Sequence, residues 1–148
     1  MLSQPWLGSR FTVFLPIEQD VKLDLKHSIL CVDDEVESLS TLKEYFLNVK
    51  EMGFETASNP ETVVGYLEEH PEVDIVLSDI VMPNINGWEL LKRIKARFPL
   101  LKVILYSGYP DKLKQKPNDA PEPDHMLQKP FKLQQLTNII NTISRQRL

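Results

Sequence analysis

Residues 28–35 read SILCVDDE, a mainly apolar run that ends in three acidic side chains. Two later runs also end at a charged residue: IVLS, residues 75–78, precedes Asp79, and MLQ, residues 126–128, precedes Lys129. Short apolar runs that alternate with helical patterns predict a parallel sheet wound by crossover helices, and such sheets bind ligands at the carboxyl ends of their strands. We therefore expect these charged side chains to meet at one edge of the sheet.

Three of them are the carboxylates of Asp33, Asp34 and Asp79. Carboxylates that converge at one edge repel one another in the absence of a cation. Hard oxygen ligands suit a divalent ion such as Mg²⁺, which keeps several of its waters. The sequence therefore predicts a Mg²⁺ site with Lys129 beside it.

The composition favours one globular domain. The chain has 148 residues, 42% of them hydrophobic, which suffices for one core but not for two domains of ordinary size. A net charge of -4 argues against a broad nucleic-acid surface. The single Cys31 excludes a disulfide framework and favours a reducing compartment. No apolar stretch approaches the ~20 residues of a membrane span, so we expect no membrane insertion. Together with the charge and the single cysteine, this predicts a cytoplasmic location and no nucleic-acid partner.

Five rounds of strand and helix patterns begin at Ser28 and predict a doubly wound α/β domain. The predicted strands cover residues 28–32, 54–57, 74–78, 102–106 and 126–128. The first helix, at about residues 35–49, has five apolar side chains at spacings of three and four, which predicts one buried face: Val36, Leu39, Leu42, Phe46 and Val49. The three histidines have no metal-like spacing, and we expect them at the surface: His27, His70 and His125.

The fourth crossover departs from this pattern. Residues 108–124 contain four prolines, which leave room for only a short helical turn at about residues 111–116. We expect this segment to have few apolar contacts and to be the most mobile part of the domain. A last helix follows residue 131, and the chain ends five residues after Ile143, so we expect no fused effector downstream.

In this order, the residues resemble a response-regulator receiver domain, the phosphoacceptor module of two-component signalling. The resemblance covers residues 28–148 and rests on the acidic pair after the first strand and four later features: Asp79, Met82-Pro83 with Gly87, Ser107, and Lys129-Pro130. It implies a flavodoxin-like, five-stranded parallel sheet in the order 2-1-3-4-5. It also implies a cis peptide between Lys129 and Pro130, with Pro130 and Gly87 in structural roles.

The resemblance and the chemistry of the residues assign the same roles. Asp79 would accept a phosphoryl group from a phosphohistidine and form an acyl phosphate. Mg²⁺ would be bound directly by Asp34, Asp79 and the backbone carbonyl of Val81, and through water by Asp33. Lys129 and Ser107 would contact the phosphoryl oxygens. Taken singly, the acidic triplet also suits the capping of a helix N-terminus, and Ser107 also suits the capping of a turn.

Two features depart from the receiver pattern: the short, proline-rich fourth helix and position 126. Many receivers carry Tyr or Phe three residues before the lysine, where this chain has Met126, so the usual aromatic switch cannot operate. The residues two beyond the acceptor and two beyond Ser107 are Val81 and Tyr109. In receivers, these two positions shape the access of the hydrolytic water. One is apolar and the other is bulky, so we expect a long-lived phosphoryl group.

Residues 1–27 form an N-terminal arm outside the receiver pattern. Within it, GSRFTVFLPI, residues 8–17, resembles the final strand of a histidine-kinase ATPase domain. Without sheet partners, the arm should be disordered or mediate dimer contacts, with no effect on phosphorylation. This resemblance implies the C-terminal receiver of a hybrid sensor histidine kinase, whose parent protein could be membrane-anchored.

The expected partner is the phosphodonor domain of a histidine kinase or a histidine phosphotransfer protein. The chain itself should catalyse only its own aspartyl phosphorylation and dephosphorylation, because it lacks the ATP-binding residues of a kinase. Three alternatives stay open: a stand-alone response regulator, a pseudo-receiver that only binds proteins, and a hydrolase with aspartyl-phosphate chemistry. The retained carboxylates argue against the second, and the lack of a substrate-binding insertion argues against the third.

Overall fold

The computed structural model describes residues 27–49 and 51–145. Its strands are β1 His27–Val32, β2 Met52–Ala57, β3 Ile75–Asp79, β4 Lys102–Ser107 and β5 His125–Gln128. Its α-helices are α1 Val36–Leu47, α2 Val63–Glu69, α3 Gly87–Arg97, α4 Pro110–Lys114 and α5 Leu133–Arg145. A short 3₁₀ helix, Pro60–Thr62, leads into α2. Except for His27, the predicted N-terminal arm lies outside these ranges.

The five strands form one parallel sheet in the order β2-β1-β3-β4-β5, which confirms the predicted fold. In the register of the sheet, Ser78 lies beside Val32, and Gln128 lies beside Ser107. The ends of β1, β3, β4 and β5 are therefore nearly level. The residues that close or follow these strands lie at a single edge, which we call the carboxyl edge of the sheet.

Both faces of the sheet are buried, as is usual for parallel strands. Alternate strand residues face opposite sides, so that Leu30 and Val76 pack with α2 and α3, whereas Ile29 and Leu77 pack with α1 and α5. The central strands can therefore be apolar along their whole length. Within the described residues, no helix is both long and apolar enough to cross a membrane.

One predicted core position in α1 is wrong. Leu39, Leu42 and Phe46 are buried as expected, but Val36 is 64% exposed. Val36 is the first residue of the helix, and at 3.6 residues per turn it projects roughly 100° away from the centre of the buried face. Val49 lies beyond the end of the helix and still packs partly against this side of the core.

The surface position predicted for His27 is also wrong. Strand β1 begins one residue earlier than expected, and His27 pairs with Met52 of β2. The imidazole is buried, with Nδ1 3.0 Å from Oδ2 of Asp74. Oδ1 of Asp74 accepts a hydrogen bond of 2.9 Å from the backbone N–H of Ser28, so this carboxylate ties the starts of β1 and β3 together.

The proline-rich fourth crossover holds a helix of only five residues, α4, in line with the prediction. Side chains of α3 tether the segment at both ends. Trp88 Nε1 donates to the carbonyl of Lys112 at 3.1 Å, and Lys95 Nζ lies 2.9 Å from Oδ2 of Asp124. Between these tethers, Ala120 is buried against the core. The segment is irregular, but it is anchored to the fold.

Candidate functional site

Three carboxylates meet at the carboxyl edge of the sheet, and we call Asp33, Asp34 and Asp79 the acidic cluster. Asp33 and Asp34 follow β1, and Asp79 is the last residue of β3. One oxygen of each lies within 4.8 Å of the others. Asp33 is fully buried, Asp79 is partly buried and Asp34 is exposed. Parallel strands with level ends bring together side chains that are 45 positions apart in the chain.

Lys129 reaches the acidic cluster from the end of β5. Its Nζ lies 3.6 Å from Oδ2 of Asp33 and 3.8 Å from Oδ2 of Asp79. Its backbone N–H donates to the carbonyl of Ser107 at 2.8 Å, which places the lysine where β4 and β5 end. The predicted cis peptide between Lys129 and Pro130 is present.

The Asp79 carboxyl is electrostatically destabilised as an anion. Burial raises its pKa, the Asp33 carboxylate raises it further, and Lys129 opposes both effects, which leaves a pKa of about 6. A bound cation would relieve this destabilisation. The donors in reach are carboxylate oxygens, which Mg²⁺ prefers over nitrogen or sulfur, so the acidic cluster fits the predicted ion.

The loop between β3 and α3 passes close to Asp79. The backbone N–H of Val81 donates to Oδ1 of Asp79 at 3.2 Å, and the N–H of Gly87 donates to the carbonyl of Ile80 at 2.8 Å. A Cβ atom at Gly87 would lie 2.5 Å from the carbonyl oxygen of Asp79. Glycine at this position is therefore a steric requirement of the loop that carries Val81.

Ser107 closes β4 beside Lys129. The side chain is buried, and its Oγ accepts a hydrogen bond of 3.0 Å from the backbone N–H of Tyr109. Three positions predicted to tune the site are partly solvent-exposed: Val81 by 41%, Tyr109 by 62% and Met126 by 40%. Met126 has no aromatic ring, so the aromatic switch with Ser107 is absent.

Sequence reasoning missed Tyr106. This residue precedes Ser107 on β4, and its hydroxyl lies 2.6 Å from Oδ2 of Asp33. The available signal was a tyrosine within an otherwise apolar strand, since a buried tyrosine hydroxyl needs a hydrogen-bond partner. Nothing in the sequence identified that partner, because the two residues are 73 positions apart.

Comparison with known proteins agrees with this geometry. A model of the response regulator receiver domain family matches residues 29–141. The sensor kinase CckA of Brucella abortus is 28% identical over 159 aligned positions, which cover 90% of this chain and 16% of that protein. The response regulator receiver protein CpdR of the same organism is 38% identical over 74 residues, which cover 50% of this chain and 61% of that protein. The chain thus spans less than two thirds of either relative.

Solved structures with the same fold include the signal receiver domain of an HD domain-containing protein from Pseudomonas fluorescens. It has a TM-score of 0.72 and 29% identity, and the match covers 82% of this chain and 96% of that one. The response regulator protein TrrA from Thermotoga maritima, in complex with Mg²⁺-BeF, has a TM-score of 0.70 and 27% identity. That match covers 79% of this chain and 98% of TrrA.

Proposed function

This chain belongs to the response regulator receiver domain family of two-component signalling, and we propose that Asp79 accepts a phosphoryl group from a phosphohistidine in a Mg²⁺-dependent reaction. One observation carries the proposal. One carboxylate oxygen from each residue of the acidic cluster lies within 4.8 Å of the others, and the Lys129 ammonium lies 3.8 Å from Oδ2 of Asp79. A carboxylate nucleophile with a cation beside it suits the stabilisation of a transferring phosphoryl group.

The chemical step is a substitution at phosphorus. An oxygen of Asp79 forms a new bond to phosphorus, the phosphorus–nitrogen bond of the phosphohistidine breaks, and the imidazole leaves with the bonding electron pair and takes up a proton. Lys129 and Ser107 hold the phosphoryl oxygens. Asp34, Asp79 and the carbonyl of Val81 would bind Mg²⁺ directly, and Asp33 would do so through water. The ion supplies charge neutralisation when it is bound.

We place the phosphodonor on the groove beside Lys129. Side chains of α1 and of the loop after β5 line it, among them Thr41, Leu42 and Phe131. A histidine presented there would approach Asp79 along a mixed polar and apolar surface. The donor domain of a histidine kinase or a histidine phosphotransfer protein has the required chemistry.

Mass spectrometry of the intact chain after incubation with acetyl phosphate tests the assignment. With Mg²⁺, the wild-type chain should gain the mass of one phosphoryl group, and the gain should disappear in EDTA. Asp79→Ala should abolish it, whereas Asp111→Ala, which removes an exposed carboxylate from α4, should leave it unchanged. An Asp79→Ala chain that is modified to the same extent would overturn the proposal.

We also propose that the chain is the receiver of a hybrid sensor histidine kinase. The match to the sensor kinase CckA covers 90% of the chain, which is more than residues 28–148 can supply, so it extends into the N-terminal arm. That arm contains residues 8–17, whose pattern resembles the last strand of a kinase ATPase domain. The match to the smaller receiver protein CpdR favours the alternative, a stand-alone response regulator.

The size of the endogenous protein separates these two origins. An antibody raised against residues 27–145 should detect a protein much larger than 17.1 kDa in the source organism if the receiver is part of a kinase. A band at the mass of this chain would support the stand-alone regulator and overturn the hybrid-kinase origin.

A further inference from the structure

Tyr106 is a buried polar side chain that the proposed phosphotransfer does not use. It has no exposed surface and lies on the side of the sheet that packs against α1 and α5. Its hydroxyl is 2.6 Å from Oδ2 of Asp33 and 3.9 Å from Sγ of Cys31. Because Asp33 is also fully buried, this hydrogen bond lies away from solvent.

The direction of the hydrogen bond follows from the chemistry of the two groups. A carboxylate oxygen accepts and a phenol hydroxyl donates, so the Tyr106 hydroxyl donates to Oδ2 of Asp33. A hydrogen bond to a carboxylate is short and strong. The other oxygen of Asp33, Oδ1, accepts a hydrogen bond of 2.9 Å from the backbone N–H of Glu35. Both oxygens of Asp33 are thus held by fixed donors.

The same tyrosine also contacts the cationic side of the site. Nζ of Lys129 lies 4.7 Å from the centroid of the Tyr106 ring, within the range of a cation–π interaction. The ring in turn packs edge-on against Phe131, with the centroids 5.9 Å apart. Tyr106 therefore touches Asp33 through its hydroxyl and Lys129 through its ring.

We propose that Tyr106 is a positioning residue that sets the Mg²⁺ affinity of the acidic cluster by orienting Asp33 through its hydroxyl. This inference rests on the proposed function, because it takes Asp33 to bind the ion through water. Without the hydroxyl, Lys129 remains as the cation 3.6 Å from Oδ2 of Asp33. The carboxylate would then turn toward the ammonium, which competes with Mg²⁺. Loss of a hydrogen-bond partner behind a metal ligand typically weakens metal binding by about 10- to 100-fold.

A purely structural role for Tyr106 makes a different prediction. In that case, loss of the hydroxyl would lower the free energy of unfolding but leave the Mg²⁺ dissociation constant unchanged. A measurement of Mg²⁺ binding without any phosphodonor therefore separates the two roles, and it does not depend on the phosphotransfer reaction.

The test is a calorimetric Mg²⁺ titration of the wild type, Tyr106→Phe and Tyr45→Phe. The control removes a tyrosine hydroxyl on the same side of the sheet, one that lies 3.2 Å from Oγ1 of Thr137. We expect about tenfold weaker binding in Tyr106→Phe and no change in Tyr45→Phe. If Tyr106→Phe binds Mg²⁺ as tightly as the wild type or more tightly, the role of Tyr106 is overturned but the proposed function is not. A wild-type chain that does not bind Mg²⁺ overturns the proposed function as well.

Two further measurements test the inference, and the second keeps it testable if Tyr106→Phe folds poorly. In an Asp33→Asn background, Tyr106→Phe should cause little further loss of Mg²⁺ affinity, because the oriented carboxylate is already absent. In the wild-type chain, the ¹³C resonance of the Tyr106 ring carbon that bears the hydroxyl should shift on addition of Mg²⁺, and that of Tyr45 should not. The proposal would be contradicted if the losses of Mg²⁺ affinity from Asp33→Asn and Tyr106→Phe were additive in the double variant, or if the Tyr106 resonance did not respond to Mg²⁺.

Discussion

At the scale of single residues, the free energy of the site depends on how each carboxylate of the acidic cluster is paired. Asp33 is fully buried, and its oxygens accept hydrogen bonds from Tyr106 and from the backbone of Glu35. Asp79 accepts one from the backbone N–H of Val81 and lies 3.8 Å from Lys129. The carboxylates of Asp33 and Asp79 therefore share one lysine, and they repel each other when no cation is bound.

That repulsion predicts a pH-dependent gain in stability when the Asp79 charge is removed. The pKa of Asp79 rises from 3.8 to about 6 on folding, so the protonated form stabilises the fold at low pH, and this stability is lost as pH rises through about 6. This pKa difference corresponds to roughly 3 kcal/mol in the free energy of unfolding. Partial solvent exposure reduces the expected gain from Asp79→Asn to about 1–2 kcal/mol near pH 7.5.

Urea unfolding in EDTA measures this gain. It should be present at about pH 7.5 and largely lost near pH 3.8, where the carboxyl is protonated in the folded state and half protonated in the unfolded state. Asp111→Asn, at an exposed position of α4, serves as the control. A gain of the same size at both pH values would contradict the electrostatic origin.

The lifetime of the phosphoryl group should depend on Val81 and Tyr109. Both side chains are partly exposed, and neither readily orients a hydrolytic water. Val81→Asn should speed the loss of phosphate roughly fivefold, because a new hydrogen bond to water contributes about 1 kcal/mol. Tyr109→Ala should speed it by opening the site. Phosphoryl decay followed by intact mass provides the measurement, and unchanged decay in both variants would count against this account.

At the scale of elements, the loop between β3 and α3 and the short helix α4 are the parts that depart most from regular geometry. The loop passes so near β3 that Gly87 has no room for a Cβ atom. Helix α4 has only five residues and is tethered to α3 by Trp88. Because position 126 on β5 is methionine, we expect any signal output that involves α4 and β5 to proceed without the aromatic switch.

Substitution of two glycines by alanine should have opposite effects. At Gly87, the new methyl group would clash with the backbone of Asp79, and we expect a loss of about 1–3 kcal/mol. At Gly65, within α2, a Cβ atom would meet nothing within 4 Å. Alanine there should stabilise the fold by about 0.5–1 kcal/mol. Thermal unfolding of both variants tests this pair, and a neutral Gly87→Ala would show that the loop can relax.

Hydrogen exchange should single out the fourth crossover as the least protected part of the described receiver. Trp88→Phe removes the donor to the carbonyl of Lys112, so exchange should become faster in Pro110–Lys114 and remain unchanged in α1. Protection in residues 108–124 equal to that of α3 would show that the tethers from Trp88 and Lys95 suffice to immobilise it.

At the scale of the whole molecule, the described residues form one five-stranded sheet. All five strands lie within residues 27–145, and both sheet faces are covered by helices from the same range. The acidic cluster and Lys129 lie on three of these strands or directly after them. The receiver should therefore function without the N-terminal arm.

Deletion of residues 1–26 tests this independence. We expect the free energy of unfolding to change by less than about 0.5 kcal/mol and the phosphorylation rate to stay the same. Light scattering would show whether any dimer is lost with the arm. A deletion of residues 1–30 is the control, because it removes most of β1, which pairs with both β2 and β3, and it should unfold the chain. Loss of acceptor activity on removal of residues 1–26 would show the arm to be integral.

The sequence by itself determined the doubly wound sheet, the short fourth helix and the convergence of Asp33, Asp34, Asp79 and Lys129. These features follow from local signals: apolar runs of strand length, prolines, and charges at strand ends. Because parallel crossovers place strand ends at one edge, a local pattern was enough to predict that side chains far apart in the sequence lie close together in the fold.

The tertiary structure alone decided the pairing of individual side chains. The hydrogen bond from Tyr106 to Asp33, the burial of His27 against Asp74 and the exposure of Val36 all depend on strand register, the start of β1 and the rotation of α1 about its axis. Neighbours in the sequence do not set these quantities. They result from packing between elements that are tens of residues apart, where a shift of one residue turns a side chain to the other face of the sheet.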